Sequence, residues 1–323
     1  MKKWTTKIYW QVILLTLSLS GCAVEQSESL RIGVNTWAGF EFLFLAEQKG
    51  FFKEENLDVK LIEFSSLSDT RRAYEHGQID GLGTTVVEVF YAREQSPDRA
   101  LQIVQIVDAS NGADVILSTA KIKDGKTLRG AKIGLELASL SVYVLARGLE
   151  SFGLTLADVN TVTMDQISLG EALNNKTLDA IVTYPPISVQ VQHDAKLNTL
   201  FSSAQIPNEV IDVLAIDQTT IKKRPNEIQK LLNGYYKAIR YTQENPQEAY
   251  RIMAEREKIT PQELEHILTN ELHLVMQNEQ FEFFKQNGTL STVVDLTDKI
   301  LRQTAQIKGS DHRADIINDM FAK

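Results

Sequence analysis

The sequence predicts an α/β protein built as two similar lobes with a cleft between them. Three observations carry this. From Arg31 to Thr85, apolar strand-like runs alternate with helix-like stretches, an order that makes parallel sheets with crossover helices. The order recurs about a hundred residues on: Ile32-Gly33 is matched by Ile133-Gly134 and Leu45-Ala46 by Leu145-Ala146, while Ala73, Asp80 and Thr84 match Ala172, Asp179 and Thr183 at a constant offset of 99. The 302 residues after position 21 exceed a typical single domain and suit two lobes. Ligands of such sheets sit beyond the carboxyl ends of the strands, where helix N-termini present free N–H groups.

Residues 1–21 read as a signal peptide. Lys2, Lys3 and Lys7 precede an apolar core, Ile8 to Leu19, that is too short for a comfortable membrane span. Leu19-Ser20-Gly21-Cys22 resembles a bacterial lipobox, with Cys22 as the lipidation site and residues 22–29 as a short tether. The expected location is the periplasm or cell envelope, held to the membrane through Cys22. That cysteine is the only one, which excludes disulfides and cysteine-ligated zinc. Removing residues 1–21 takes away three lysines and no acid, so the formal charge moves from −8 to −11. An acidic chain without a basic run argues against nucleic acid as a partner.

The mature chain opens on a strand, Leu30 to Val34, then a turn, Asn35 to Gly39, and a helix from Phe40 to Lys49 stopped by Gly50. A strand at 57–64, a polar turn at 65–69, a helix ending at His76 and a strand at 79–83 follow. Val86 to Glu94 reads as a helix and Leu101 to Val107 as a strand, with the first crossing between lobes near the turn-rich run 108–114. The second lobe begins with the strand 131–135 and a helix that carries Val142, Leu145, Leu149 and Phe152 on one face. Ser168-Leu169-Gly170-Glu171 reads as the capping box of its next helix, and Leu178 to Val182 as a buried strand. Glu209 to Ile216 alternates like a second crossing strand, and helices are expected at 228–243, 246–258, 261–272 and 290–306. One lobe is therefore expected to comprise residues 30–112 and 217–323, the other 113–216.

No HExxH, GxSxG, P-loop or GxGxxG spacing occurs, and the five histidines lie on polar helical stretches. Neither a catalytic constellation, a metal site nor a cofactor is expected. What remains are turn residues at strand ends. Trp37 is an aromatic plate for a flat or cationic ligand; Phe40 either joins it or begins the buried face with Leu43 and Phe44. Ser65, Ser66, Thr84, Thr85, Ser139 and Ser141 are hydroxyls at helix starts, where an N-cap can also face a ligand. Tyr184 ends a buried strand beside two prolines, facing the cleft or packing at a hinge. Glu88 and Glu171 read as capping-box partners. Helix N-termini favour an anion such as a sulfonate, nitrate or carboxylate. Against that, Glu41, Asp108, Glu136 and Asp165 stand at cleft-end turns, with Arg71 and Arg72 the nearby bases. The balance leans to a nitrogen-containing organic ligand. Asn111, in the crossing turn, completes the candidate set.

Several segments resemble the NMT1/THI5-like group of ABC-transporter substrate-binding proteins, which serves nitrate, sulfonates, taurine and thiamine precursors. They are Trp37-Ala38-Gly39-Phe40-Glu41, the run 108–114, Gly134 to Ser141, Leu178 to Pro186, and Asn245-Pro246-Gln247-Glu248-Ala249. Ala38 and Phe42 stand where relatives often carry proline. The resemblance implies a type II periplasmic-binding-protein fold, a small-molecule ligand between the lobes, a monomer, and recognition of the closed form by an ABC permease in the inner membrane. Two other roles compete: a ligand-sensing subunit of a membrane signalling receptor, and an enzyme of pyrimidine-synthase type. The latter relies on a cysteine-rich motif, whereas this chain has Cys22 alone.

Overall fold

The strands of the two halves form two separate sheets in the computed structural model of the protein, which describes residues 28–194, 196–309 and 311–322. The signal peptide and Cys22 lie outside the described residues. In chain order the strands are β1 (Leu30–Asn35), β2 (Val59–Phe64), β3 (Gly81–Thr85), β4 (Leu101–Ser110), β5 (Val115–Thr119), β6 (Lys132–Leu135), β7 (Asn160–Thr163), β8 (Ala180–Thr183), β9 (Leu197–Ser202), β10 (Ile211–Asp217) and β11 (Leu272–Leu274). One sheet has the order β11-β4-β10-β3-β1-β2, the other β7-β6-β8-β5-β9.

The internal repeat has a structural basis. In the first sheet β1 lies between β2 and β3, all parallel; in the second β6 lies between β7 and β8 in the same way. The repeated aspartate pins the start of each central strand. Asp80 accepts the backbone N–H of Arg31 at 2.9 Å, and Asp179 that of Lys132 at 2.8 Å. Each sheet then takes antiparallel strands, β10 and β4 in one, β5 and β9 in the other. The chain crosses between sheets from β4 to β5 and returns from β9 to β10.

The helices that cover the sheets are α1 (Glu41–Lys49), α2 (Leu67–Glu75), α3 (Val86–Gln95), α4 (Leu140–Ser151), α5 (Gln166–Asn174), α6 (Ile187–Asp194), α7 (Pro225–Glu244), α8 (Pro246–Glu257) and α9 (Thr289–Gln303). Pro225 and Pro246 stand in the first turns of α7 and α8, where a missing N–H costs nothing. α7 turns Ile228, Leu231, Leu232, Tyr235 and Ile239 inward and packs on α1, with the rings of Phe42 and Tyr235 edge to face at 5.8 Å. β4 and β10 are buried along their whole length, so the core of the first lobe runs through them.

Three elements depart from the sequence reading. The strand read as a second crossing strand, β10, hydrogen-bonds between β3 and β4 of the first sheet, whereas the lobe boundary expected at 216 puts it with the second; alternation marks a strand but says nothing of which sheet it joins. Ser168 sits inside α5 rather than capping it, because Asp165 three residues earlier already takes its N–H at 2.8 Å. The helix expected over 261–272 stops at His266, loosens into a π-turn at Ile267–Glu271 and becomes β11. There the edge of β4 offers unpaired backbone groups, which a strand satisfies and a helix cannot.

Candidate ligand-binding cleft

The carboxyl ends of β1, β3 and β8 and the first turns of α2 and α4 meet between the sheets. They close around a cavity of only about 10 Å³, room for about one water molecule. Asn35, Trp37, Leu67, Thr85 and Asp212 line it from the first lobe, Leu140 and Tyr184 from the second, and Asp114 from the crossing segment. A wider vestibule of about 270 Å³ shares Tyr184 with it and is walled by Ser65, Gln166, Arg256 and Glu257 among others. Trp37 and Tyr184, one from each lobe, meet edge to face at 5.9 Å. The Trp37 indole N–H donates to Asp108 Oδ2 at 3.0 Å, which fixes the plane of the ring.

The cavity is acidic by construction. Strand register places Asp212 of β10 opposite Asp108 of β4 and opposite Thr85 of β3. Carboxylates directly opposed on neighbouring strands repel. Asp108 Oδ1 and Asp212 Oδ2 have no donor of their own; a proton held between the two carboxyls would relieve both, in keeping with the upward shift of each. Burial pushes the Asp108 carboxyl up to about 7, although the Trp37 N–H and the bond with Asp212 pull it back. Burial likewise raises Asp114 to about 7 against the pull of the Ser110 hydroxyl, with the nearby Glu88 adding to the rise. Asp212, buried and facing Asp108 and Asp114, is raised well above the ordinary carboxylate range. Asp114 Oδ2 has no partner. Among the described residues no group of three or more His, Cys, Asp or Glu side chains is arranged to hold a metal ion.

The lobes also bond directly to each other. Glu136, at the end of β6, accepts the N–H of Ser68 in the first turn of α2 at 2.9 Å. Glu88 of α3 accepts the N–H of Leu140, the first residue of α4, at 2.9 Å and the hydroxyl of Thr85. Arg71 of α2 donates to the Ala138 carbonyl at 3.3 Å while pairing with Glu75 on its own helix. Nearer the surface, His193 of α6 meets Glu263 at 2.5 Å.

The candidate residues sort by depth. Trp37, Thr85 and Tyr184 line the cavity and Ser65 the vestibule. Ser66 caps α2 through the Asp69 N–H at 3.1 Å. Thr84, Ser139 and Ser141 are buried with hydroxyls that have no hydrogen-bond partner. Four candidates lie elsewhere. Phe40 is fully buried against Gly83, inside the first lobe, because its position starts the apolar face of α1. Glu41 is buried in a cluster with Arg256, at 3.0 Å, and Glu257. Asn111 is exposed and spends its backbone N–H on the Glu271 carbonyl at 2.7 Å. Asp165 is an exposed cap of α5. Sequence reasoning missed Asn35, Leu67, Asp114, Leu140 and Asp212 as cavity walls. Asp212 did leave a signal, an acid between Ile211 and the apolar run Val213 to Ile216, and Asp114 closed a turn already placed at the crossing.

The fold has known counterparts. An alkanesulfonate-binding protein from Xanthomonas axonopodis pv. citri, solved bound to MOPS, aligns with a TM-score of 0.76 at 16% identity over 90% of this chain and 98% of that one. Such a likeness is one of fold, that of the periplasmic binding proteins. A Brucella abortus protein named as a binding protein is 22% identical over 290 residues, covering 86% of this chain and 88% of its own. A 4-amino-5-hydroxymethyl-2-methylpyrimidine phosphate synthase of Saccharomyces cerevisiae is 21% identical over 230 residues, 65% of each chain. The model of the family described as NMT1/THI5 like matches residues 37–249, more than half of the sequence, and the chain belongs to that family.

Proposed function

We propose that the protein is a lipid-anchored substrate-binding component of an ABC importer, which captures a compact, positively charged nitrogen compound by closure of its two lobes. The observation that carries the ligand class is the acidic cavity: Asp114 and Asp212 line it, Asp108 stands behind them, and no basic side chain is in its wall. An ammonium or protonated heterocycle would replace the shared proton and satisfy Asp114 Oδ2, while the faces of Trp37 and Tyr184 suit a cation. Asp114 also lies in the crossing segment, where its carbonyl accepts the Ser203 N–H at 2.9 Å. A cation bound to Asp114 therefore draws on the hinge itself, and binding biases closure without any chemical step.

The test is a thermal-shift screen of primary amines, guanidines, aminopyrimidines and quaternary ammonium compounds beside alkanesulfonates and nitrate. Cations are expected to raise the melting temperature and anions not. Asp114→Asn should weaken the best cation by on the order of tenfold to a hundredfold, the worth of one hydrogen bond to a charged group. Stabilisation by anions alone would overturn the ligand class, and turnover of a bound pyrimidine would overturn the non-catalytic role. Cys22→Ser should move the protein from the membrane to the soluble fraction; unchanged membrane retention would count against lipidation.

A further inference from the structure

The helix N-termini at this cleft should attract anions, as helix ends generally do. Two of them are already taken. The first turn of α2 in one lobe gives its Ser68 N–H to Glu136 of the other, and the first N–H of α4 goes to Glu88 of the first lobe. Both carboxylates are buried, Glu88 at 0% and Glu136 at 3% exposure. Around the start of α4 lie polar groups nine-tenths or more buried with nothing to bond, the hydroxyls of Ser139 and Ser141. On α2, Arg71 Nε is likewise unpartnered. This is the donor set of an anion site, with the protein's own carboxylates in the seats.

We infer that Glu88 and Glu136 are built-in anions: each lobe caps a helix of the other, which shuts anionic solutes out of the cleft and ties the lobes together when it closes. The inference rests on the cleft being the solute site and adds the residues that set the sign of charge it admits. The exchange is reciprocal, so both carboxylates leave their helices when the lobes part. A solute anion would then have to compete with a carboxylate that never diffuses away, because it belongs to the chain itself. The cavity thereby reads charge by internal occupancy rather than by the absence of donors.

The probe is methanesulfonate, with sodium chloride at matched ionic strength as the control and, as readouts, the melting temperature and the tryptophan fluorescence of the chain from Cys22 onward, in which Trp37 is the one tryptophan. Wild type is expected to show no saturable response. Glu136→Ala empties the seat on α2 and should gain saturable stabilisation, with an affinity at least about tenfold above that of wild type. Glu136→Gln removes the charge but leaves an oxygen on the Ser68 N–H, so it should stay blind to the anion. Should Glu136→Ala fail to fold, Glu136→Ser empties the seat with a smaller polar change. A wild type that binds methanesulfonate as well as the variants overturns the inference. So does blindness of a folded Ala or Ser variant, or a gain in Glu136→Gln equal to that in Glu136→Ala. The cation reading is tested apart from this: if no amine or heterocycle stabilises wild type while Glu136→Ala gains methanesulfonate, the cation falls and the built-in anion stands.

Discussion

Raising the pH from about 5 to about 9 lowers the melting temperature of the ligand-free protein by on the order of 10 °C. In the unfolded chain the aspartates and glutamates ionise near 3.8 and 4.5, whereas in the fold Asp108 and Asp114 hold their protons up to about 7 and Glu41 up to about 8. Asp212 and Glu257 are raised further by burial and by the carboxyls they face. Across that window the native state binds more protons than the unfolded one, so stability is fully present below the unfolded values and is lost as pH rises through the folded ones. Three units correspond to about 4 kcal/mol for a single carboxyl; sharing of protons within the cluster and entry of water reduce the total to roughly a few kcal/mol. Carboxyls held low by arginine, such as Asp80 beside Arg31, act only below about pH 4 and leave the window untouched. Asp212→Asn should flatten the slope, and a saturating cation should flatten it too, because it favours the ionised carboxyls. Scanning calorimetry across the range checks all three, and a melting temperature that rises with pH would refute the shared-proton arrangement.

Gly39→Ala should lose both stability and ligand. A Cβ at this position would land on the carboxylate of Asp108 and press on Val107, on a strand with no room to yield. Overpacking of this kind costs about 1–3 kcal/mol, or roughly 2–10 °C in melting temperature. The displaced carboxylate is the one that holds the Trp37 indole at 3.0 Å, so the aromatic wall of the cavity loosens with it. Ligand affinity is expected to fall by at least about tenfold, beyond what the lost stability explains. Gly50→Ala is the control. Gly50 ends α1 at φ 79° with open space around it, so alanine there adds backbone strain of about 1 kcal/mol and should leave binding intact. Calorimetric titration of both variants with the same cation separates the effects; equal affinities would remove Trp37 from the site.

The linear chain by itself determined the repeated strand–helix order, the two sheets it implies, and the cleft walls Trp37, Thr85 and Tyr184, because strand ends and helix starts are local events written in short stretches. The repeat's aspartates were visible as a repeat, but what they do, each pinning the start of the central strand of its sheet, is a contact made only by the fold. The same holds for how the charges meet. Asp108 and Asp212 are a hundred residues apart and become opponents only through antiparallel pairing of β4 and β10, and the carboxylates of Glu88 and Glu136 find their N–H partners only across the lobe boundary. Register between distant strands and contact between lobes depend on packing over the whole molecule. The acids at the cleft-end turns already tilted the reading of the chain toward a nitrogen-containing ligand; only packing decided which of them face one another and which reach across to the other lobe.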